Sequence, residues 1–337
     1  MRYVLDTLIG ALEQGEPAVL GAIVRSAGSA PRTSGARMLV LADGSLAGSV
    51  GGGSVEGACQ AAATKLLADS ASHRELDFNL SSSAAADEGM VCGGAVTVLL
   101  QRVKPSELER FLELRRLYRA GARPLLLTLL PRADSPPELM MLGSEAPAEL
   151  PETLREQLLN KGRRSPFTLV HNEREFFVEP LVHPGTVHLA GAGHVAFSTG
   201  HLAAYAGFEV VVLDDRAEFA NSERYPTARE VRVLENFDHC FPELGTDDYV
   251  VIVTRGHIHD RDVLAQALRT GAGYIGMIGS SKKRRAVYAS LLADGFTEAD
   301  LDRVYSPIGL DIGSDTPAEI GVSIVAELIQ VRAGKKR

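Results

Sequence analysis

Apolar residues near the start of the chain recur at helical spacing: Val4, Leu5, Leu8, Ile9 and Leu12. The helix that they predict stops at Gly15 and Pro17. A continuous apolar run over 18–25 then predicts a buried strand, and Asp43-Gly44 predicts a hairpin turn because both residues tolerate a positive φ. The same pattern predicts an Ala-rich helix over 54–67 and a strand over 95–101.

The middle of the chain has a different pattern. A charged amphipathic helix is predicted over 106–120, followed by a strand over 124–130. Five prolines between 131 and 151 predict a surface loop. Beyond that loop, the segments 167–171 and 175–179 are expected to pair as an antiparallel hairpin.

The last third of the chain alternates strands and helices. Short segments rich in β-branched residues predict strands at 186–190, 209–215, 229–234, 249–254, 273–279 and 302–307. Helix-length stretches separate them, which is typical of a parallel, doubly wound sheet. A capping box at Thr316 to Glu319 predicts the start of a closing helix. We therefore expect an α/β protein with an N-terminal mixed α+β domain over 1–183 and a Rossmann-like domain over 184–337.

Composition and charge exclude several classes of protein. The 337 residues are 45% apolar and 23% charged, as in ordinary globular domains. The net charge of −8 excludes a globally basic surface for nucleic acid. No apolar run approaches the roughly 20 residues of a membrane span, and no signal peptide is predicted at the N-terminus, so we expect a cytoplasmic protein. The three cysteines, Cys59, Cys92 and Cys240, do not form a disulfide framework.

A glycine-rich turn follows the first strand of the predicted Rossmann-like domain. Residues 191–196 read G-x-G-x-x-A, a form of the dinucleotide-binding fingerprint. Gly191 permits the tight turn, and Gly193, just before His194, lets the backbone approach a pyrophosphate. The next strand ends in Asp214-Asp215, followed by Arg216, where an acidic residue usually meets a ribose hydroxyl. Because Arg216 adds a positive charge beside these acids, the sequence leaves open whether the ligand carries an additional phosphate there.

Further polar clusters follow later strands of the same sheet: 254–260, 279–285 and 306–309. The second of them contains Gly279, Ser280 and a Lys/Arg run that includes Lys283. Cations at a helix N-terminus oppose the helix dipole, and an anionic ligand such as phosphate would remove that conflict. The alternative is that these long side chains simply face solvent. His257-x-His259-Asp260 lacks a third metal ligand, so we expect Asp260 to cap the helix and His257 to contact a polar ligand.

The N-terminal domain has a second glycine-rich loop over 48–57, which runs into a helix. Gly52, Gly53 and Ser54 at its end suit close approach to an anion, and Glu56 either takes part in chemistry or is a favourable first-turn residue. The loop lacks the Gly-Lys-Ser/Thr ending of a P-loop, so ATP hydrolysis is not indicated. Cys92 lies among glycines at 89–94 and is either an accessible functional thiol or a small core residue.

Taken together, these blocks resemble the XdhC/CoxI family of maturation factors for xanthine and carbon monoxide dehydrogenases. The matching stretches are 28–40, 48–57, 89–94, 188–196, 210–216, 254–260, 274–284 and 306–329. Their occurrence in this order is far more specific than the dinucleotide fingerprint alone.

The resemblance implies a chaperone for the molybdenum cofactor, either molybdopterin or its dinucleotide form. Such a protein protects the cofactor, supports its sulfuration by a cysteine desulfurase and supports its insertion into the apo-enzyme of a molybdenum hydroxylase. The phosphate or pyrophosphate of the cofactor suits Gly191, Gly193 and Lys283. By the same resemblance, further contacts are expected from Arg255, Gly256, His257 and Ser280. We expect an accessory protein that binds cofactor rather than a turnover enzyme, and a homodimer is a further hypothesis.

One residue departs from the family pattern. Many members carry Cys where this chain has Ser54, so Cys92 is the remaining motif cysteine, which argues against a mechanism with two thiols.

Two other functions compete with this interpretation. An NAD(P)-dependent oxidoreductase with His257 as acid or base would explain the fingerprint and Asp214, but not the N-terminal glycine loop or Cys92. A nucleotide-sensing module without chemistry is the third reading, with Asp214 and Arg216 selecting the ligand.

Overall fold

The computed structural model describes residues 2–28, 35–69, 71–79, 94–120, 122–132, 135–143, 152–159 and 165–334. The chain divides into two compact units, Met1–His183 and Pro184–Arg337. Each unit has hydrophobic clusters of its own.

The first unit contains a five-stranded antiparallel sheet with the order β3-β2-β1-β5-β4. Its strands are β1 (Ala18–Ala27), β2 (Arg37–Val40), β3 (Leu46–Gly48), β4 (His73–Asn79) and β5 (Ala95–Val103). Its helices are α1 (Arg2–Glu13), α2 (Gly53–Ala68) and, after a short 3-10 turn at Pro105–Glu107, α3 (Leu108–Arg119). Leu8 of α1 and Phe111 of α3 share one cluster on the sheet, and Cys59 of α2 lies in another with Ile23. Both faces of β1 are thus covered by helices, which explains the continuous apolar run that predicted it.

A second antiparallel sheet in this unit has the order β7-β6-β9-β8. It consists of β6 (Leu125–Leu129), β7 (Glu138–Leu142), β8 (Phe167–His171) and β9 (Arg174–Pro180), with α4 (Glu152–Leu159) packed against it. The predicted hairpin between β8 and β9 is confirmed, and it turns at Asn172 and Glu173, both at positive φ. A buried ion pair between Arg37 and Glu179 joins this sheet to the first one.

The prediction of an unbroken loop over 131–151 was wrong, because β7 lies inside it. Its five residues contain no proline, and Leu139 and Leu142 are buried. As an edge strand it hydrogen-bonds to β6 alone, so the flanking prolines are tolerated. Strand β4 and helix α4 were not predicted. β4 buries none of its seven residues fully, so its sequence has little hydrophobic periodicity.

The second unit is a six-stranded parallel sheet with the order β12-β11-β10-β13-β14-β15. The strands are β10 (Thr186–Ala190), β11 (Glu209–Asp214), β12 (Glu230–Val233), β13 (Asp248–Ile252), β14 (Tyr274–Met277) and β15 (Val304–Tyr305). The helices are α5 (His194–Tyr205), α6 (His257–Leu268), α7 (Ser281–Ala293), α8 (Glu298–Leu301) and α9 (Pro317–Arg332). The predicted α/β class, with a Rossmann-like sheet after a mixed α+β unit, is confirmed.

Helices cover both faces of this parallel sheet. Val210 and Val212 of β11 pack with α5 and α9, whereas Val211 and Leu213 pack with α6 and α7. Consecutive side chains of a strand point to opposite faces, so a strand buried on both sides has no polar alternation. The predicted capping box of α9 is present, with Thr316 Oγ1 accepting from the N–H of Glu319. Within the described ranges, no helix has the length and apolar character that crossing a bilayer requires.

Candidate functional site

Three helices of the second unit begin at the carboxyl edge of the parallel sheet. They follow the neighbouring strands β10, β13 and β14, and their N-cap residues are Gly193, Gly256 and Ser280. The strand order changes direction between β10 and β13, which is where open α/β sheets bind ligands. Helix N-termini present unpaired N–H groups and the positive end of the dipole. This edge is therefore suited to a phosphate-bearing ligand.

The two glycines of the turn after β10 have different structural roles. Gly191 has a φ of +107°, and a Cβ there would lie 2.5 Å from the carbonyl oxygen of Val253. A Cβ at Gly193 would meet no atom of the described residues within 4 Å. Gly191 is therefore required by the fold itself, whereas the space beside Gly193 is open to a ligand. This is the division that the fingerprint predicts.

Asp214, the last residue of β11, fixes the glycine turn. Its Oδ2 accepts a 2.6 Å hydrogen bond from the backbone N–H of Ala192. Arg216 donates to the same carboxylate from its backbone N–H, from Nε at 2.8 Å and from Nη2 at 2.9 Å. The guanidinium of Arg216 also lies over the ring of Phe219, 4.1 Å from its centroid. The turn, the strand end and Arg216 thus form one hydrogen-bonded unit.

Opposing effects set the charge state of Asp214. Burial alone would raise the pKa of this carboxyl, but the hydrogen bonds from Arg216 and from the Ala192 N–H outweigh it and hold the pKa below its ordinary value. Asp214 is therefore a buried anion with its partners inside the protein. Asp215, the next residue, is exposed at the same strand end.

Tyr225 gives the glycine turn a second support. Its hydroxyl donates a 3.2 Å hydrogen bond to the carbonyl oxygen of Ala192. Burial raises the pKa of Tyr225 to about 12, so the hydroxyl keeps its proton at neutral pH. Sequence reasoning missed this residue because 33 positions separate the two partners and no motif connects them.

A second network lies where β13 and β14 end. Asp260 is fully buried, and its Oδ1 accepts a 2.5 Å hydrogen bond from the hydroxyl of Thr254. Its Oδ2 is ion-paired with Nζ of Lys283. The prediction that Asp260 caps its helix was wrong, since it is the fourth residue of α6 and Gly256 is the N-cap. The anion beside Lys283 is thus supplied by the chain itself.

The other residues predicted around these strand ends have varied surroundings. Ser280 caps α7 by accepting a hydrogen bond from the N–H of Lys283, directly after Gly279. Arg255 and His194 are exposed, and the side chain of His257 lies outside the described residues. Within the described ranges, no group of three His, Cys, Asp or Glu side chains is placed to hold a metal ion.

The glycine loop of the first unit has an unusual backbone. Gly51, Gly52 and Gly53 all have positive φ, and α2 begins at Gly53 with no side-chain cap. Ser54 is exposed, and Glu56 follows in the first turn of the helix with a buried Oε2 that takes no hydrogen bond from the described residues. Positive φ at consecutive positions explains why the sequence has three glycines there.

The cysteines fall into two groups. Cys59 and Cys240 are fully buried, and burial raises the pKa of each thiol to about 12. Both thiols are therefore protonated and poorly nucleophilic at neutral pH. Cys92, the thiol that the sequence singles out, lies outside the described residues.

Family models match both units. Residues 187–328 match the XdhC Rossmann domain, and residues 11–79 match the XdhC and CoxI family. The chain belongs to the XdhC and CoxI family. The resemblance drawn from the sequence blocks is thereby confirmed.

Several proteins with assigned names are similar to this family member over most of its length. A Bacillus subtilis protein described as a probable subunit of xanthine dehydrogenase is 27% identical, with 97% of this chain and 96% of that protein covered. The molybdenum cofactor insertion chaperone PaoD of Escherichia coli K12 is 24% identical, with 98% and 88% covered. The uncharacterized protein YqeB of Escherichia coli K12 is 26% identical over 95% of this chain. The chain spans only 44% of the length of YqeB.

A solved structure has the same fold. A crystal structure described as a xanthine dehydrogenase from Bacillus halodurans superposes with a TM-score of 0.80 and is 26% identical, covering 99% of this chain and 97% of that one.

Proposed function

We propose that this member of the XdhC and CoxI family is a maturation factor that carries the molybdenum cofactor as cargo. It protects the cofactor, supports its sulfuration by a cysteine desulfurase and supports its insertion into a molybdenum hydroxylase. Family membership supports this proposal, as does the similarity to a molybdenum cofactor insertion chaperone over 98% of the chain.

The observation that carries the proposal is the open backbone at the N-terminus of α5. Molybdopterin bears a phosphate, and its dinucleotide form bears a pyrophosphate. Gly193 leaves free space for such a group beside the first N–H groups of α5, and no described atom would block it within 4 Å of a Cβ. Gly256 and Ser280 cap the two neighbouring helices, whose dipoles favour negative charge at the same edge.

Two cationic side chains near this edge, Arg255 and Lys283, would contact the cargo in different ways. Arg255 is exposed and free to approach an anionic group of the cargo. Lys283 is 21% exposed and already paired with Asp260, so it would meet the cargo as a positioned cation rather than a mobile one. Because its partner is fully buried, the ammonium group is held close to the strand ends.

Cys92 is the cysteine that would take part in sulfuration of the cofactor. The other two thiols are buried and protonated, and Ser54 has no thiol. In this proposal the desulfurase supplies the sulfur and the hydroxylase receives the finished cofactor. Glu56, near the exposed Ser54 in the N-terminal glycine loop, is the proposed acid or base.

Maturation of a client enzyme tests the proposal. A molybdenum hydroxylase is produced in a host that lacks its own maturation factor, and its activity is measured with and without this chain. The wild type should restore activity and Gly193→Val should not. Gly10→Val is the matched control, because a Cβ at Gly10 of α1 also meets no described atom within 4 Å. Full hydroxylase activity with Gly193→Val would overturn the proposal. So would an inactive hydroxylase in the presence of the wild-type chain, provided that the apo-enzyme accumulates.

A parallel variant tests the thiol. Cys92→Ser should abolish maturation while leaving cargo binding intact, whereas Cys59→Ser should leave both unchanged. Normal maturation by Cys92→Ser would exclude a role for this cysteine.

A further inference from the structure

The first unit contains a cavity of about 300 Å³ at the ends of three neighbouring strands, β1, β5 and β4. None of the residues that line it belongs to the N-terminal glycine loop or to the second unit. Its volume is at the lower end of the range for small-molecule sites, about 300–1,000 Å³. The cavity therefore has room for one ring system rather than for a whole nucleotide.

Three polar side chains lie side by side across these strands. In the register of the sheet, Thr97 of β5 pairs with Arg25 of β1 on one side and with Asp77 of β4 on the other. Directly paired residues project from the same face. Ala27 and Ala95, the next pair on that face, also line the cavity. The two methyl groups form an apolar floor beside the charged row, on which a planar ring can lie.

Asp77 is the acceptor of this row. Its Oδ1 accepts a 2.7 Å hydrogen bond from the hydroxyl of Thr97, which orients the carboxylate. An ionised carboxylate offers about four acceptor positions, and no other described residue donates to this one. Because Asp77 is also exposed, it has an orientation set by the protein and acceptor positions for two N–H groups of a ligand.

Arg25 is the donor at the opposite side of the cavity. Its Nε and Nη2 donate to Glu175, at 3.4 and 2.6 Å, and its Nη1 donates to Glu75 at 3.4 Å. These bonds leave one N–H on Nη1 and one on Nη2, since a guanidinium has five N–H groups. With Asp77, three carboxylates surround this one cation, so the charge disfavours a phosphate. Arg25 is suited instead to a neutral acceptor atom.

We propose that this cavity binds the 2-amino-4-oxopyrimidine ring of a pterin. Asp77 accepts hydrogen bonds from the 2-amino group and from the adjacent ring N–H, two donors that point in the same direction. Arg25 donates to an acceptor atom elsewhere on the ring system. Strands β1 and β4 flank β5 and are therefore about 10 Å apart at the usual strand spacing, a gap that a two-ring system between the two side chains bridges.

The inference rests on the proposed function, because the pterin is the part of the molybdenum cofactor that has this ring. Guanine has the same amino-oxo edge, but a guanine nucleotide would add a sugar and phosphates that the volume and the charge of the cavity disfavour. The cysteine assigned above to sulfuration, Cys92, precedes Ala95 by three positions in the sequence. A pterin site here would thus adjoin, along the chain, the thiol that acts on the cofactor.

Fluorescence titration of pterin with the full chain tests the inference. Asp77→Asn should weaken binding by about tenfold, because one acceptor oxygen is replaced by an amino group that opposes the donors of the ring. Asp69→Asn, at an exposed acid of the same unit that does not line the cavity, is the matched control and should leave the affinity unchanged. Ala95→Leu keeps the carboxylate but fills the floor, and it should also abolish binding.

Two further ligands test which ring is recognised. Lumazine has an oxygen in place of the 2-amino group, so the wild type should bind it about tenfold more weakly than pterin, and Asp77→Asn should remove that preference. Guanosine keeps the amino-oxo edge but adds a sugar, so it should also bind more weakly. Equal affinity for pterin and lumazine, guanosine binding as tight as that of pterin, unchanged pterin binding by Asp77→Asn, or no pterin binding at millimolar concentration would each overturn the inference.

Failure of this inference is distinguishable from failure of the proposed function. If Asp77→Asn binds pterin normally while the wild type carries molybdenum cofactor and restores the hydroxylase, the inference alone is wrong. If pterin binds as predicted but the wild type does not restore the hydroxylase, the proposed function alone is wrong.

Discussion

The ammonium group of Lys283 is ion-paired with the carboxylate of Asp260, which has no exposed surface. Lys283 belongs to the first turn of α7, where a cation opposes the helix dipole. Asp260 lies in the first turn of α6, where an anion is favourable. The pair therefore places opposite charges at the starts of two neighbouring helices and compensates the unfavourable one.

Removing the lysine of this pair should destabilise the second unit. Lys283→Met leaves the Asp260 carboxylate buried without its cation, and the free energy of unfolding should fall by about 3–5 kcal/mol. Chemical denaturation measures the change. Lys282→Met, on the exposed neighbour, should change it by less than about 0.5 kcal/mol, and the double variant Asp260→Asn/Lys283→Met should recover most of the loss. If both lysine variants have the same stability, the pair has no structural role.

Asp214→Asn should also destabilise the unit, by about 3 kcal/mol, because an amide cannot accept all four hydrogen bonds that the carboxylate receives. The pKa of Asp214 in the folded protein lies below the ordinary value of 3.8. The free energy that ionised Asp214 contributes to stability is therefore fully present above pH 3.8. It is lost as the pH falls through the lower pKa that Asp214 has in the folded protein. Thermal unfolding between pH 2 and 6 should show a larger acid-dependent loss of stability in the wild type than in the variant, which keeps other carboxyls of lowered pKa such as Asp248. Asp215→Asn serves as control, and equal stability of the two variants at pH 6 would contradict the anchoring role.

The two glycines of the turn should respond differently to the same substitution. Gly191→Ala forces a Cβ to within 2.5 Å of the Val253 carbonyl oxygen at a φ of +107°, so the variant should unfold at a lower temperature. Gly193→Ala meets open space at a φ of −68° and should fold normally while binding cargo more weakly. Melting temperatures and cargo content measured on both variants check this. Normal stability of Gly191→Ala would contradict the close approach of the two strand ends.

The buried thiols should resist alkylation in the native protein. Because the pKa of Cys59 and of Cys240 is about 12, less than one thiol in a thousand is ionised at pH 8, and neither sulfur is exposed. The Cys92→Ser variant should therefore take up no iodoacetamide until it is unfolded, and two equivalents afterwards. Mass spectrometry counts the adducts, and rapid labelling of the folded variant would show that helix α2 or the segment around Cys240 opens readily.

Most of the fold could be predicted from the sequence, and the exceptions have physical reasons. The strands of the Rossmann-like sheet are buried on both faces, so each is a compact apolar run with clear ends. Strand β4 is half exposed and β7 is a short edge strand among prolines, so hydrophobic pattern and turn residues gave a weak or misleading signal.

The candidate site was predictable only where a motif fixes the backbone. Gly191 and Gly193 were identified because the tight turn and the open N-terminus of α5 need residues without a Cβ. The pairing of Lys283 with Asp260 and of Tyr225 with Ala192 depends on tertiary contacts across 23 and 33 positions. The charge conflict at α7 did indicate that an anion was needed, but not that the chain supplies it.

In the proposed function, the glycine-lined edge of the second unit holds molybdenum cofactor. The most direct measurement is anaerobic purification from a molybdate-replete host, followed by molybdenum and pterin analysis of the released small molecule, for the wild type and for Gly193→Val. We predict near-stoichiometric molybdopterin on the wild type and little on the variant. Equal cofactor content in both proteins would contradict the assignment to this edge. Bound NAD(P) without molybdenum or pterin would contradict the claim as a whole and favour the oxidoreductase.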